Sequence, residues 1–150
     1  MNEAPLLICY DDSTGARHAV ESAATLFPGR RAVVLDVAPA VTAQESLADL
    51  APVIPNFEEI NTADALSKAR VGAELAREHG LEAEPRADFA APTWDGVVEA
   101  GNDLDAAVIV IGSRGLRGAR EVFEGSLSHE VAEHAGRPVL IVPPARQDSH

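Results

Sequence analysis

The sequence predicts a three-layer α/β/α domain, in which an open parallel sheet carries helices on both faces. Short apolar runs alternate along the 150-residue chain with longer segments whose apolar residues recur at helical spacing. Two of the runs, "AVVLDV" and "AAVIVI", contain few polar residues, which is typical of parallel strands that are covered on both faces. This alternation of strand and helix favours one doubly wound sheet with right-handed crossovers.

Five strands and four helices are predicted in order along the chain. The strands are Leu6–Tyr10, Ala32–Val37, Glu82–Phe89, Ala106–Ile111 and Val139–Val142. The helices are Thr14–Phe27, Asn61–His79, a short helix that Pro92-Thr93 opens and that continues through Val98, and a last helix marked by Leu127, Val131 and Ala135. Because Pro85 has no N–H to give to a sheet ladder, the third strand is predicted at an edge.

The whole chain, residues 1–150, is predicted to form a single domain, since this length suits one hydrophobic core. Apolar residues make up 46% and aromatic residues only 4%, so Ala, Val, Leu and Ile must fill that core. Residues 38–60 contain three prolines and no sustained period, which indicates a long variable loop. Residues 143–150 are polar and are predicted to be a loose tail.

The charge of the chain restricts its partners. A net charge of −12 argues against nucleic acid, because binding to a phosphate backbone needs a basic face. A bound nucleotide must then be held by backbone N–H groups, a few local cations or a metal. The single cysteine, Cys9, excludes an intrachain disulfide. We see no signal peptide and no apolar run long enough for a membrane span, and therefore expect a cytoplasmic protein.

The segment "IGSRGLRGAREVFEGSLSHE" follows the fourth strand and contains four glycines. It is not a Walker loop, since no lysine precedes Ser126, and its G-x-x-G-x-x-G spacing is not the dinucleotide fingerprint. Gly112 and Gly115 nevertheless lie at the carboxyl end of a central strand, where open α/β sheets place ligands. Gly125-Ser126 lies where the last helix begins and could hold an anion. Alternatively, the glycines only permit a tight turn and Ser126 caps the helix.

Together these residues resemble the nucleotide loop of the universal stress protein family. The family pattern G-x2-G-x9-G-[ST] matches Gly112, Gly115, Gly125 and Ser126. The segments "LLICYDDS", "AAVIVIGSRGLRG" and "EGSLSHEVAEHAGRPVLIVP" are similar to the family's first strand, its fourth strand with the loop, and its last helix with the fifth strand. The resemblance implies a Rossmann-like, adenine nucleotide alpha hydrolase-like fold with strand order 3-2-1-4-5. It also implies a homodimer formed through the fifth strand.

The resemblance further implies which residues bind the nucleotide. Asp11 matches the acidic residue that contacts the nucleoside, and Val37 matches the residue whose backbone meets the adenine edge. Asp12 stands where members often have glycine, and Asp tolerates unusual φ and ψ values better than most residues. The implied site comprises Tyr10, Asp11, Asp12, Val37, Gly112, Ser113, Arg114, Gly115, Gly125, Ser126, Leu127 and Ser128.

The function that the resemblance implies is that of an ATP-binding stress-response module, with at most weak ATP hydrolysis and an unknown protein partner. Family members tend to have apolar residues where this chain has Glu121 and Glu124. Carboxylates repel a triphosphate unless they point away or bind it through Mg²⁺. Two alternatives stay open: a slow ATPase or nucleotidyl-transfer enzyme, and an interaction module that binds no nucleotide.

Three other residue types were considered for chemistry, and none of them predicts a site. His129 and His134 diverge by about 140° around a helix, so they cannot share a metal ion. Cys9 ends an apolar strand and is predicted to be a small core residue. The sole tryptophan, Trp94, is predicted to lie in the core. No catalytic residue and no metal site is predicted.

Overall fold

A computed structural model describes residues 3–39, 57–113 and 127–145. Five strands and four helices alternate in these ranges, as the sequence predicts. The strands are β1 Leu6–Cys9, β2 Arg31–Pro39, β3 Glu82–Ala90, β4 Val108–Gly112 and β5 Val139–Val142. The helices are α1 Thr14–Leu26, α2 Phe57–Glu78, α3 Thr93–Leu104 and α4 Leu127–His134.

The strands form one parallel sheet in the order β3-β2-β1-β4-β5. This order confirms the arrangement that the family resemblance implies. It also places β3 at an edge, which confirms the position expected from Pro85. Pro85 pairs in register with Val34 of β2, and the other side of β3 has no neighbouring strand among the described residues.

Side chains of β1 and of Tyr10, which follows it, alternate between two cores, one on each face of the sheet. Leu6, Ile8 and Tyr10 pack with alanines and Val20 of α1 and with alanines of α2. Leu7 and Cys9 pack on the opposite face with residues of α3 and α4. Both faces of the central strand are therefore covered, which explains its lack of polar residues. None of the described helices is long and apolar enough to cross a membrane.

Two elements extend into the segment 38–60, which the sequence predicts to be a loop. Strand β2 continues through Pro39 because β3 pairs with it to the end, with Pro39 beside Ala90. Helix α2 begins at Phe57 instead of Asn61. Residues 40–56 lie outside the described part of the chain. The variable loop predicted for residues 38–60 therefore stays a prediction for residues 40–56 alone.

The predictions for Cys9 and Trp94 have different outcomes. Cys9 is buried, and burial, with smaller contributions from Asp36 and Asp11, raises the pKa of its thiol to about 12. The thiol stays protonated at neutral pH and acts as a small core group. Trp94 is only partly buried. It packs at the margin of the α3–α4 core and stacks on His134, with 4.3 Å between ring centroids.

Candidate functional site

The space beyond the carboxyl ends of β1, β2 and β4, which we call the crevice, lies at the point where the connections of the sheet change direction. From β1 the chain crosses to β2 on one side, whereas β4 lies on the other side. Such a switch point is where open α/β sheets place ligands. Cys9 pairs with Leu35 and Ile8 pairs with Val110. If the same register continues past these pairs, Asp11 is level with Val37 on one side and with Ser113 on the other.

The backbones of β2 and β4 both face this crevice. The carbonyl of Leu35 points toward β1, where it accepts the N–H of Tyr10 at 2.8 Å. Backbone direction repeats every second residue in a strand, so Val37 also turns its N–H and C=O toward β1. Because β1 ends at Cys9, Val37 faces the space beyond that end. The N–H of Ser113 points away from the crevice and donates to Val142 of β5 at 2.8 Å, so the preceding Gly112 faces the crevice from the other side.

Asp11 lies between these two backbones, in the turn from β1 to α1. One of its carboxylate oxygens accepts the N–H of Ser13 at 3.0 Å. Ser13 is the N-cap of α1, and its hydroxyl accepts the N–H of Ala16 at 3.1 Å. The side chain that caps α1 is therefore that of Ser13. Asp11 closes the turn that precedes it.

Asp12 adopts a left-handed backbone, with φ of 70°, in agreement with the expectation that it replaces a glycine. Its Oδ1 accepts the hydroxyl of Tyr10 at 2.9 Å and Nη2 of Arg17 at 3.0 Å. These two bonds lower the pKa of Asp12, the Tyr10 bond most. Burial, together with the bond to Asp12, raises the pKa of Tyr10 to about 12. The carboxylate is therefore charged and the phenol neutral at physiological pH, and the interaction weakens only as the pH falls through the lowered pKa of Asp12.

Two glycines in helices allow those helices to pack closely against Tyr10 and Val37. A Cβ built on Gly72 of α2 would lie 2.6 Å from the ring of Tyr10. A Cβ built on Gly96 of α3 would lie 3.0 Å from Cγ1 of Val37 and 2.8 Å from Cβ of Ala90. The side chains of Tyr10 and Val37 are buried against these helices. Tyr10 is thus held by packing on one face of the sheet and Val37 by packing on the other face, which fixes the positions of their backbones.

The end of β4 lies against the first turn of α1. A Cβ on Gly112 would be 3.4 Å from the carbonyl oxygen of Gly15, so a larger side chain at Gly112 would press on this turn. At the other end of the glycine segment, Leu127 and Ser128 form the first turn of α4, with Ser128 buried. The predicted site residues Arg114, Gly115, Gly125 and Ser126 lie outside the described residues.

The structure thus brings six of the predicted residues to the carboxyl end of the sheet, namely Tyr10, Asp11, Asp12, Val37, Gly112 and Ser113. It places Leu127 and Ser128 at the start of α4. Arg17 was missed by the sequence analysis. Its only signal is a basic residue one helical turn after the cap of α1, a pattern shared by many surface arginines. The roles of Gly72 and Gly96 were also missed, although glycines inside predicted helices indicate close packing.

One group among the described residues could hold a metal ion. Glu130, Glu133 and His134 of α4 carry potential ligand atoms that lie within 4.8 Å of one another. Glu133 and His134 are exposed, and the same residues pair along the helix, His129 with Glu133 and His134 with Glu130. Such pairs are ordinary on a helix surface, and His129 and His134 lie beside different glutamates.

Comparison with known proteins shows which family the chain resembles along its length. The model of the universal stress protein family matches residues 4–143. The universal stress protein YxiE of Bacillus subtilis (strain 168) is 30% identical over 144 residues, which are 91% of this chain and 97% of that protein.

Solved structures with the same fold include proteins with a bound adenine nucleotide. One is a universal stress protein from Archaeoglobus fulgidus in complex with dAMP, with a TM-score of 0.60, 21% identity, and coverage of 95% of this chain and 99% of that chain. Another is a universal stress protein family protein from Arabidopsis thaliana with AMP bound, with a TM-score of 0.65, 16% identity, and coverage of 95% and 93%. At these identities the likeness establishes the fold alone.

Proposed function

The chain belongs to the universal stress protein family, and from this premise we propose that it binds an adenine nucleotide at the crevice beyond β1. The observation that carries the proposal is the arrangement of Val37 and Gly112. Their backbones face the same space from the two strands that flank β1, about 10 Å apart across the sheet, and Asp11 follows the end of β1 between them. The AMP and dAMP complexes of proteins with this fold give the ligand class.

Each part of the crevice has a chemical role in this proposal. The N–H and C=O of Val37 read the donor and acceptor on the adenine edge. Asp11 accepts a hydrogen bond from the nucleoside. The close approach of β4 at Gly112 lets the chain pass the ribose without a side chain in the way. The first turn of α4, with Leu127 and Ser128, receives the phosphate, because the N-terminus of a helix favours an anion.

We further propose that ATP is the physiological nucleotide and that its occupancy changes which protein partner is bound. The G-x2-G-x9-G-[ST] pattern supports a polyphosphate. The acidic pair Glu121 and Glu124 predicts that ATP binding strengthens when Mg²⁺ is added, because the ion screens the carboxylates from the phosphates.

Replacing Gly125 by valine is expected to abolish the preference for AMP and ATP over adenosine while the free nucleoside still binds. A β-branched side chain two residues before α4 would block the approach of the phosphate to the backbone N–H groups. Isothermal titration calorimetry with adenosine, AMP and ATP, each with and without Mg²⁺, measures this preference. Gly115→Val tests the first half of the loop in the same way.

The unmodified protein provides the decisive comparison. If it binds none of the three ligands at millimolar concentration, the proposal is wrong, and the chain is an interaction module without a nucleotide. If ADP or AMP accumulates from added ATP in a chromatographic assay, the enzyme alternative holds. Unchanged AMP affinity in both glycine variants would contradict the assignment of the loop.

We also propose that the chain forms a homodimer through β5. This strand lies at the edge of the sheet opposite β3, and Ile141 is 40% exposed on it. An uncovered apolar edge strand is a pairing liability that a folded protein normally covers. A second copy of the same strand would cover it symmetrically.

Ile141→Asp is expected to convert the dimer to a monomer, because it introduces two like charges at a symmetric apolar contact. Sedimentation or light scattering at micromolar concentration measures the change. The matched control is Val71→Asp, which replaces an apolar residue of similar exposure on α2 and should leave the dimer intact. An unmodified protein that is monomeric at high micromolar concentration would rule out this interface.

A further inference from the structure

Asp12 has a backbone conformation that a residue with a side chain rarely adopts. Among the described residues, only Asp12 (φ 70°) and Asp105 (φ 51°) combine a positive φ with a side chain. Asp105 ends α3 and its side chain is 95% exposed. The side chain of Asp12 is 41% exposed, and the residue lies next to Asp11 in the turn that follows β1. Strained backbone of this kind persists only where its surroundings hold it, and it clusters at ligand sites.

Two side chains hold Asp12 in place, and both act on the same carboxylate oxygen. Tyr10 donates its hydroxyl at 2.9 Å, and Arg17 donates Nη2 at 3.0 Å. Tyr10 is completely buried, with its ring seated against Gly72 of α2. Arg17 projects from α1. The carboxylate of Asp12 is therefore attached to the core and to both helices that cover one face of the sheet.

This attachment fixes the neighbouring residue as well. Asp11 lies between Tyr10 and Asp12, and its own carboxylate accepts the N–H of Ser13. The turn is thus held before and after Asp11, by the Tyr10–Asp12 bond on one side and by the capped end of α1 on the other. The backbone of Asp11 is therefore held on both sides, and one of its carboxylate oxygens is held by the N–H of Ser13.

We propose that Asp12 is a positioning residue, which through its bonds to Tyr10 and Arg17 holds Asp11 in the orientation that binds the nucleoside. This inference rests on the proposed adenine-nucleotide site. Where a glycine would leave the turn free to move, the side chain of Asp12 keeps it in the binding conformation. The apparent affinity is proportional to the fraction of molecules in the binding conformation. Removing the bonds of Asp12 to Tyr10 and Arg17, called the tether below, is expected to leave about one molecule in ten in that conformation and so to weaken binding about tenfold.

The test compares Asp12→Gly with Asp12→Asn. Both variants remove the negative charge of Asp12, and both residues accept a positive φ. Only asparagine keeps a side-chain oxygen that can accept the hydroxyl of Tyr10. The matched control is Asp105→Gly, the same substitution at the other left-handed position, at the far end of α3. Calorimetric titration with adenosine and with AMP, and urea unfolding of each variant, are the measurements.

Asp12→Gly is expected to raise the dissociation constants for adenosine and AMP by the same factor, about tenfold relative to Asp12→Asn. The factor is equal because the tether acts on the nucleoside, which both ligands share. An effect of charge alone would have a different pattern: both Asp12 variants would bind alike, and AMP, an anion, would bind more tightly to each. Asp105→Gly should leave both dissociation constants unchanged.

The double variant Tyr10→Phe with Asp12→Gly identifies the route of the effect. Tyr10→Phe keeps the ring against Gly72 and removes only the hydroxyl. Alone it should weaken adenosine binding, and in the Asp12→Gly background it should add nothing, because the bond it removes is already absent. Additive losses would overturn the proposed tether, as would equal binding by Asp12→Gly and Asp12→Asn. An unmodified protein that binds neither ligand would instead overturn the proposed function, and the positioning role with it.

Discussion

Replacing Asp11 by alanine is expected to raise the dissociation constant for AMP about 10- to 100-fold, because a hydrogen bond to a charged group contributes about 1.5–3 kcal/mol. The register of β1 with β2 and β4, continued past the end of β1, puts Asp11 level with Val37 and Ser113, and in the proposed site its carboxylate accepts a hydrogen bond from the nucleoside. The substitution removes this acceptor and also the bond to the N–H of Ser13. Calorimetric titration with AMP measures the loss.

Asp11→Asn separates the two contributions of the carboxylate. The amide oxygen can still accept the N–H of Ser13, so the turn stays closed while the charge is lost. Its dissociation constant should fall between those of the unmodified protein and Asp11→Ala. Glu82→Ala is the control for net charge. Glu82 is exposed at the amino end of β3, whereas the proposed site lies at the carboxyl ends of the strands. If Glu82→Ala weakens AMP binding as much as Asp11→Ala does, Asp11 makes no direct contact.

The sequence was sufficient to predict the sheet because its strands are separated by strong signals. Continuous apolar runs, each followed by a segment of helical period, left few alternatives to a doubly wound parallel sheet. Pro85 placed β3 at an edge before the strand order was known. The end of β2 was predicted too early, because Ala38 and Pro39 belong to the strand only through their pairing with Phe89 and Ala90. Such pairing is a tertiary effect that local sequence does not encode.

The candidate site was predictable only in part, for a similar reason. The glycine spacing and the "YDDS" turn identified the residues at the ends of β1 and β4 through a family resemblance. The bonds that join Tyr10, Asp12 and Arg17 depend on a turn that brings three side chains to one point. No periodicity predicts such a contact, because Tyr10 follows the end of a strand, Asp12 lies in a turn and Arg17 lies on a helix. The conformational tolerance of Asp12 was predictable, whereas the use of its side chain was not.

Gly72 shows how a weak sequence signal acquires a physical cause in the structure. A glycine inside a helix costs about 1 kcal/mol relative to alanine, so its presence in α2 needs a compensating gain. That gain is the close approach of Tyr10 and Val34, whose side-chain atoms would lie 2.6 Å and 2.8 Å from a Cβ at this position. The helix can therefore pack directly on the residue that holds Asp12.

Gly72→Val is expected to lower the free energy of unfolding by about 3 kcal/mol, because a β-branched side chain would overlap a packed core that has no room for it. Gly72→Ala should lower it by about 1 kcal/mol, since the gain in helix propensity offsets part of the overlap. Urea unfolding followed by circular dichroism measures both. The matched control is Gly15→Ala in α1, where a built Cβ meets no atom within 4 Å.

Gly15→Ala should raise the stability by up to about 1 kcal/mol, because the helix gains propensity and loses no contact. The opposite signs of the two glycine-to-alanine changes are the decisive result. If Gly72→Ala stabilised the protein as Gly15→Ala does, the ring of Tyr10 would not be seated against α2. The structural support for the position of Asp12 would then be lost as well, because Tyr10 can fix the turn only while its own ring is held by the helix.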